Sequence, residues 1–150
     1  MRLIAPDGPV YQAGTLSGNP IAVAAGLATL KTLQADGSVY DHLVACGARF
    51  ATGFDDLAAR LGIPLCWNGV GGMGSLFFSE GPVVDWSSAT KTNESSFNSF
   101  FHGMLEEGIH LPPSRFEAWF WSSAHRSEDI ERTIEAAEHV LTRTRGTVHA

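Results

Sequence analysis

The sequence predicts an α/β fold in which helices cover a short sheet, and three observations carry that expectation. Apolar positions Val39, Leu43, Cys46, Phe50, Phe54, Leu57 and Leu61 recur at steps of three and four, the spacing that lines one face of a long helix. The period then changes: residues 65–67 and 74–79 are compact apolar runs, too short for helices, separated by glycines. Helical spacing returns at Ile130, Ile134, Ala137 and Leu141. Helices alternating with short strands form layers, with the helices laid on one face of a small sheet.

Taken in order, residues 1–18 hold two Pro and three Gly and read as an irregular lead-in with at most one short strand, around residues 10–12. A helix then starts sharply, because Asn19 is a preferred N-cap and Pro20 brings a pre-set φ to the one position where no N–H is needed. Its body, residues 21–33, is rich in Ala and ends at the turn signal Asp36-Gly37. Ser38 can cap the long amphipathic helix, and Gly62 with Pro64 stops it. Strand, glycine turn (Gly69, Gly71, Gly72) and strand follow, closed by Gly81-Pro82. Thr92 or Asn93 caps a third helix through Phe97, Phe100, Phe101, Met104 and Leu105, ended by Gly108 in the left-handed conformation that suits glycine. Residues 109–111 read as a strand broken by Pro112-Pro113. After the aromatic residues 116–121, Ser127 caps a last helix with Glu128, Asp129 and Glu131 in its first turn and Arg143 and Arg145 at its end, a pattern that complements the helix dipole.

Composition excludes several functions. One hundred and fifty residues at 44% hydrophobic and 17% charged can bury one core, as a single domain or a domain plus a fragment, and this balance excludes disorder. No apolar run approaches the roughly 20 residues of a membrane helix. Residues 1–7 lack the unbroken apolar stretch of a secretory signal, so the expected location is cytoplasmic, with no membrane partner. A formal charge of −6 with scattered basic residues is the wrong sign for nucleic acid. Cys46 and Cys66 are too few and too isolated for a disulfide framework or a zinc site, which suits a reducing compartment.

The segment Tyr11-Gln12-Ala13-Gly14-Thr15-Leu16-Ser17-Gly18-Asn19-Pro20 places a glycine-flexed backbone and two hydroxyls just before a helix, a geometry that binds anions. A phosphate can take hydrogen bonds from the Thr15 hydroxyl and from free backbone N–H groups, with Gly14 and Gly18 allowing close approach. A capped helix preceded by an ordinary turn accounts for the same residues. The segment is neither a Walker loop nor a dinucleotide fingerprint.

Glu117 stands among Phe116, Ala118, Trp119, Phe120 and Trp121; a carboxylate desolvated there needs a partner, whereas an exposed acid on a loop does not. The glycines at 71, 72 and 74 are explained by a hairpin turn. The six histidines pair with no second ligand at metal spacing; five of them are placed by the pattern, His42 and His139 on polar helix faces, His102 beside an aromatic face, His125 in a turn and His149 in the tail. Ser122, Ser123 and His125 lack a placed acid, so they make no hydrolase triad. Lys31, on a helix, and Lys91, in a polar loop, are the only lysines, and neither has the apolar surroundings that would make it a Schiff-base nucleophile.

The 11–20 segment extended back to Val10, Gly71-Gly72-Met73 before a Phe-rich strand, Pro113-Ser114-Arg115-Phe116-Glu117-Ala118, and Ser123-Ala124-His125 before an acidic helix start together resemble the glutamate-1-semialdehyde 2,1-aminomutase family. These are class III aminotransferases among the fold type I pyridoxal-phosphate enzymes. The resemblance runs end to end here and covers only the carboxy-terminal third of such enzymes. It implies that residues 1–35 belong to the large cofactor domain and 36–150 form the carboxy-terminal small domain. It implies that Gly14 and Thr15 hold the phosphate of pyridoxal 5'-phosphate across a homodimer interface, with the cofactor as electron sink. Glu117 and Tyr11 would then lie at the substrate side, facing a small amino-aldehyde, and the product would be 5-aminolevulinate for tetrapyrrole synthesis. The family's Schiff-base lysine and the aspartate on the pyridine nitrogen fall upstream of Met1, so Met1 is expected to match an internal position and this polypeptide alone is expected to be inactive. Arg115 replaces a common glutamine, and Trp119 and Trp121 replace smaller residues. Another class III ω-aminotransferase, or a non-catalytic fragment, is the alternative.

Overall fold

The computed structural model describes residues 1–148, with side chains to residue 144; the Arg145 side chain and His149 lie outside the described residues. The chain divides into two units, Met1–Gly37 and Ser38–Ala150.

In the first unit, residues 1–18 form turns. The strand expected around residues 10–12 is reduced to a single parallel bridge between Ile4 and Val10. Helix α1 (Pro20–Ala35) begins where Asn19 and Pro20 predict and ends at Asp36. No residue of α1 is buried; Ile21 is 81% exposed and Leu30 66%.

The second unit contains α2 (Ser38–Leu61), β1 (Leu65–Val70), β2 (Met73–Phe78), α3 (Trp86–Ala89), α4 (Glu94–Glu106), β3 (Trp119–Phe120) and α5 (Ser127–Val148). The strands form one antiparallel sheet in the order β1-β2-β3. Val70 pairs with Met73, so only Gly71 and Gly72 make the turn, and Gly71 takes the positive φ of 55° that such a two-residue hairpin needs.

Alternation along the strands decides what each face does. Leu65, Trp67, Leu76, Phe78 and Trp119 share the inner face, which α2 and α4 cover. The predicted stripe of α2 supplies the other half of the core: Cys46, Phe50, Phe54, Leu57 and Leu61 are buried, and Val39 and Leu43 half-buried. Phe54 lies 5.3 Å from the Trp67 ring and 5.7 Å from Trp119, and Phe50 lies 5.4 Å from Trp121. The Gly69–Gly74 cross-strand pair makes room for Trp67, since a Cβ at Gly74 would fall inside its indole. α5 closes the core with Ile130, Ile134, Ala137, Val140 and Leu141. Exposed ion pairs join α5 to α2: Arg49 grips Glu131 at 2.5 and 2.6 Å, and Arg60 reaches Glu138 at 2.6 Å.

The strand expected at residues 109–111 does not form. Gly108 (φ 79°) and Ile109 finish α4 instead, with the Ile109 N–H donating to Met104 O at 2.8 Å and the Gly108 N–H to Leu105 O at 3.0 Å. Pro112 and Pro113 beyond have no N–H to offer a ladder. The third strand comes from the aromatic stretch, where Trp119 and Trp121 bury their rings and Phe120 points to the open face. The short helix α3, capped by Asp85, has too few residues to show a period in the sequence.

Replacing Phe54 by Ala should lower unfolding free energy by about 3–5 kcal/mol, read as an earlier urea midpoint, because the surrounding rings cannot collapse into the space. Acid should also destabilise the fold. Hydrogen bonds from Arg49 and Arg60 hold Glu131 and Glu138 below the usual carboxylate range. Depressed folded-state values stabilise above the ordinary carboxylate value and lose that effect as pH falls through them, so the melting temperature should drop below about pH 4. A Glu131→Gln, Glu138→Gln double variant should flatten that drop.

Candidate functional site

The anion-loop residues all lie in the first unit; residues 11–18 are exposed and Asn19 is half-buried. The Gly14 carbonyl accepts from Ser17 N at 3.0 Å and the Leu16 carbonyl from Asn19 N at 3.0 Å, two consecutive turns that bend the chain into α1. A side chain at Gly14 would collide with Ser17 Oγ, at 2.5 Å from a Cβ built there. Asn19 Oδ1 accepts from Ile21 N at 3.1 Å and Ala22 N at 3.2 Å, and the Asn19 carbonyl takes Val23 N.

The first N–H groups of the helix are therefore already occupied, and Pro20 has none. The donors left for an anion belong to the loop. Among the described residues, the Thr15 hydroxyl and the N–H groups of Gly14, Thr15 and Leu16 meet no acceptor. A phosphoryl group is held by unsatisfied donors of this kind, and the chemistry of these residues is compatible with one. Tyr11 is 83% exposed just upstream.

Glu117 lies in the second unit, and the desolvated setting suggested by its aromatic neighbours is not found. Trp119 and Trp121 turn inward while Glu117 is exposed at a turn preceding β3. Its N–H donates to Ser114 O at 3.0 Å, its Oε2 accepts from Ser114 N at 3.3 Å, and its carbonyl accepts from Ser75 Oγ on β2 at 3.4 Å. The carboxylate is held by its own turn, with one oxygen left to face solvent.

The remaining candidates resolve into structural roles. Ser122 Oγ lies 3.2 Å from His125 Nδ1, but that nitrogen also accepts the Ser122 N–H at 3.0 Å, and the nearby Asp129 carboxylate accepts from Arg126 N at 2.8 Å. No acid is therefore placed on this histidine. His42, expected on a polar face, is half-buried, with Nε2 2.7 Å from His125 O, where it acts as donor and ties α2 to this turn. Burial pushes the Cys46 thiol up, away from reactivity. Lys31 and Lys91 are both exposed. Among the described residues, no group of three His, Cys, Asp or Glu can hold a metal, and no helix is long and apolar enough to cross a membrane.

A hollow of about 570 Å³ opens between β3 and the start of α5, lined by Leu111, Trp119, Trp121, His125 and Arg132 among others. Sequence reasoning missed it, since its walls come from segments far apart in the chain. Glu117 does not line it, so this hollow is not the setting that the sequence suggested for that carboxylate.

No family model matches the chain. Whole-sequence comparison is informative. The chain is 54% identical over 141 residues to glutamate-1-semialdehyde 2,1-aminomutase of Desulfitobacterium hafniense and 52% identical to that of Thermus thermophilus, covering 94% of this chain and 33% of each relative. It thus spans about a third of the length of the relatives it matches. Among solved structures, a β-phenylalanine aminotransferase from Variovorax paradoxus superposes with a TM-score of 0.75 at 25% identity, over 97% of this chain and 34% of that one. A glutamate-1-semialdehyde aminomutase from Pseudomonas aeruginosa gives 0.76 at 20% identity, over 91% of this chain and 31% of that one. In sequence and fold, the chain is similar to the carboxy-terminal third of the glutamate-1-semialdehyde 2,1-aminomutases, within the fold type I aminotransferases.

Proposed function

We propose that this chain is the carboxy-terminal portion of a pyridoxal-phosphate-dependent glutamate-1-semialdehyde 2,1-aminomutase that makes 5-aminolevulinate for tetrapyrrole synthesis. The observation that carries the reading is 54% identity to such an enzyme along nearly the whole chain. The free donors of the Thr15 loop support it.

On this reading, Thr15 Oγ1 and the adjacent N–H groups hold the cofactor phosphate of the neighbouring subunit in a homodimer, and Gly14 keeps the loop bare enough for the backbone to approach. Bound pyridoxal phosphate would supply the electron sink for rearrangement at the amino-bearing carbons. The free carboxylate oxygen of Glu117 would accept from the substrate's ammonium group, with Tyr11 at the shared entrance. The lysine that binds the cofactor covalently would come from the rest of a longer protein, since both lysines here are exposed and neither is buried in apolar surroundings.

Residues 1–35 would belong to the large cofactor domain and 36–150 to the small domain. Support for that division comes from α1, which has apolar residues around its whole circumference and buries none of them. A helix of that kind is normally enclosed on every side. An assembled cytoplasmic dimer would supply the enclosure.

In the full-length dimer, Thr15→Ala should raise the cofactor dissociation constant about tenfold or more, since a hydrogen bond to a charged group contributes about 1.5–3 kcal/mol. Thr15→Ser should retain most of the affinity. Unchanged affinity in Thr15→Ala would contradict the phosphate assignment. Offering pyruvate as amino acceptor separates the ω-aminotransferase alternative: an aminomutase should return 5-aminolevulinate without net alanine formation.

A further inference from the structure

Among the described residues of the second unit, Arg115 is the one arginine turned mainly inward, with 15% of its side chain exposed. Its Nη1 donates to Thr92 O at 2.6 Å and its Nη2 lies 3.3 Å from Glu94 Oε2. The guanidinium also sits 4.6 Å above the Phe116 ring, which packs 4.9 Å from Trp86. The surface that receives it is rigid. Thr92 is buried, Asn93 N donates to Phe78 O at 2.9 Å, and Asn93 caps α4 through Ser96 N at 2.9 Å. The guanidinium is thus directed to Thr92 and Glu94 of its own unit.

Two residues on stands Glu117. The turn 114–117 touches the rest of the unit at both ends: closely through Arg115 on the platform before α4, and loosely through the Glu117 carbonyl near Ser75 of β2. Both side-chain contacts near the carboxylate are long, 3.3 Å from Ser114 N and 3.4 Å from Ser75 Oγ to the carbonyl, so neither fixes it firmly. The short, charge-assisted Arg115–Thr92 bond is the strong fixture of the turn. We infer that Arg115 is a positioning residue that aims the Glu117 carboxylate by fastening the 114–117 turn to the N-terminal platform of α4. This role rests on the substrate-side reading of Glu117 given above.

The test uses the full chain labelled with nitrogen-15. Glu117→Gln should move the Ser114 amide resonance, because that N–H meets the Glu117 carboxylate, and serves as the control. Arg115→Ala should move the same resonance and speed hydrogen exchange at Ser114 and Glu117 at least tenfold, with the exchange of core amides such as Leu57 unchanged. Arg115→Lys, which keeps the charge and stem but cannot make the forked contact, should give smaller changes of the same sign, and it decides the matter if Arg115→Ala does not fold. An unmoved Ser114 resonance with unchanged exchange in whichever variant folds would overturn the inference. Failure of the substrate-side reading is distinguishable: Glu117→Gln would then leave kcat/KM of the full-length enzyme unaltered while the Arg115 effect on the turn persists.

Discussion

The second unit depends on the contact between the apolar stripe of α2 and the inner face of a sheet that is barely large enough to exist. Three strands, one of them two residues long, are marginal without such cover. Phe50 and Phe54 meet Trp67, Trp119 and Trp121 at centroid separations between 5.3 and 6.2 Å, in tilted, stacked and edge-on pairs that add to the area they bury. β3 is held as much by these rings as by its ladder. Trp121 adds a hydrogen bond from Nε1 to Leu43 O at 2.8 Å, fixing the strand's exit directly to α2. Because Glu117 lies two residues before Trp119, the aromatic core fixes one end of the segment that carries that carboxylate.

The first unit follows the opposite logic. Its helix is apolar and has no core of its own, and its N-terminus satisfies itself through Asn19. The donors without partners are displaced into the preceding loop, where among the described residues a hydroxyl and several N–H groups meet no acceptor. Exposed apolar surface costs free energy in water, while exposed donors bind water that an anion can replace, so one event, enclosure against a partner that carries an anion, would engage both. The proposed dimeric enzyme provides such an event.

Much of this was legible in the sequence because it is written in short-range chemistry. Asn19-Pro20 marks the start of α1, Asn93 that of α4, and Gly108 its end, each through a local hydrogen bond or dihedral preference. The α2 stripe declared both its length and its buried face. Residues 109–111 misled, since an apolar triplet reads as a strand until the final turn of α4 and the two prolines claim it. Glu117 was legible as a residue of interest but not in its setting: aromatic neighbours in sequence point to opposite faces of a strand, and only the register shows that the rings leave the carboxylate behind. The Arg115–Thr92 bond and the His42–His125 tie join residues 23 and 83 positions apart, a separation at which no sequence period carries information.

The structure of the full-length dimer loaded with pyridoxal phosphate tests the proposed role of the Thr15 loop as a phosphate cradle most directly. A phosphoryl oxygen of the neighbouring subunit's cofactor should stand about 2.7 Å from Thr15 Oγ1, with the loop N–H groups turned toward the same group. A cofactor phosphate bound elsewhere, with the Thr15 hydroxyl packed against side chains of its own subunit, would contradict it.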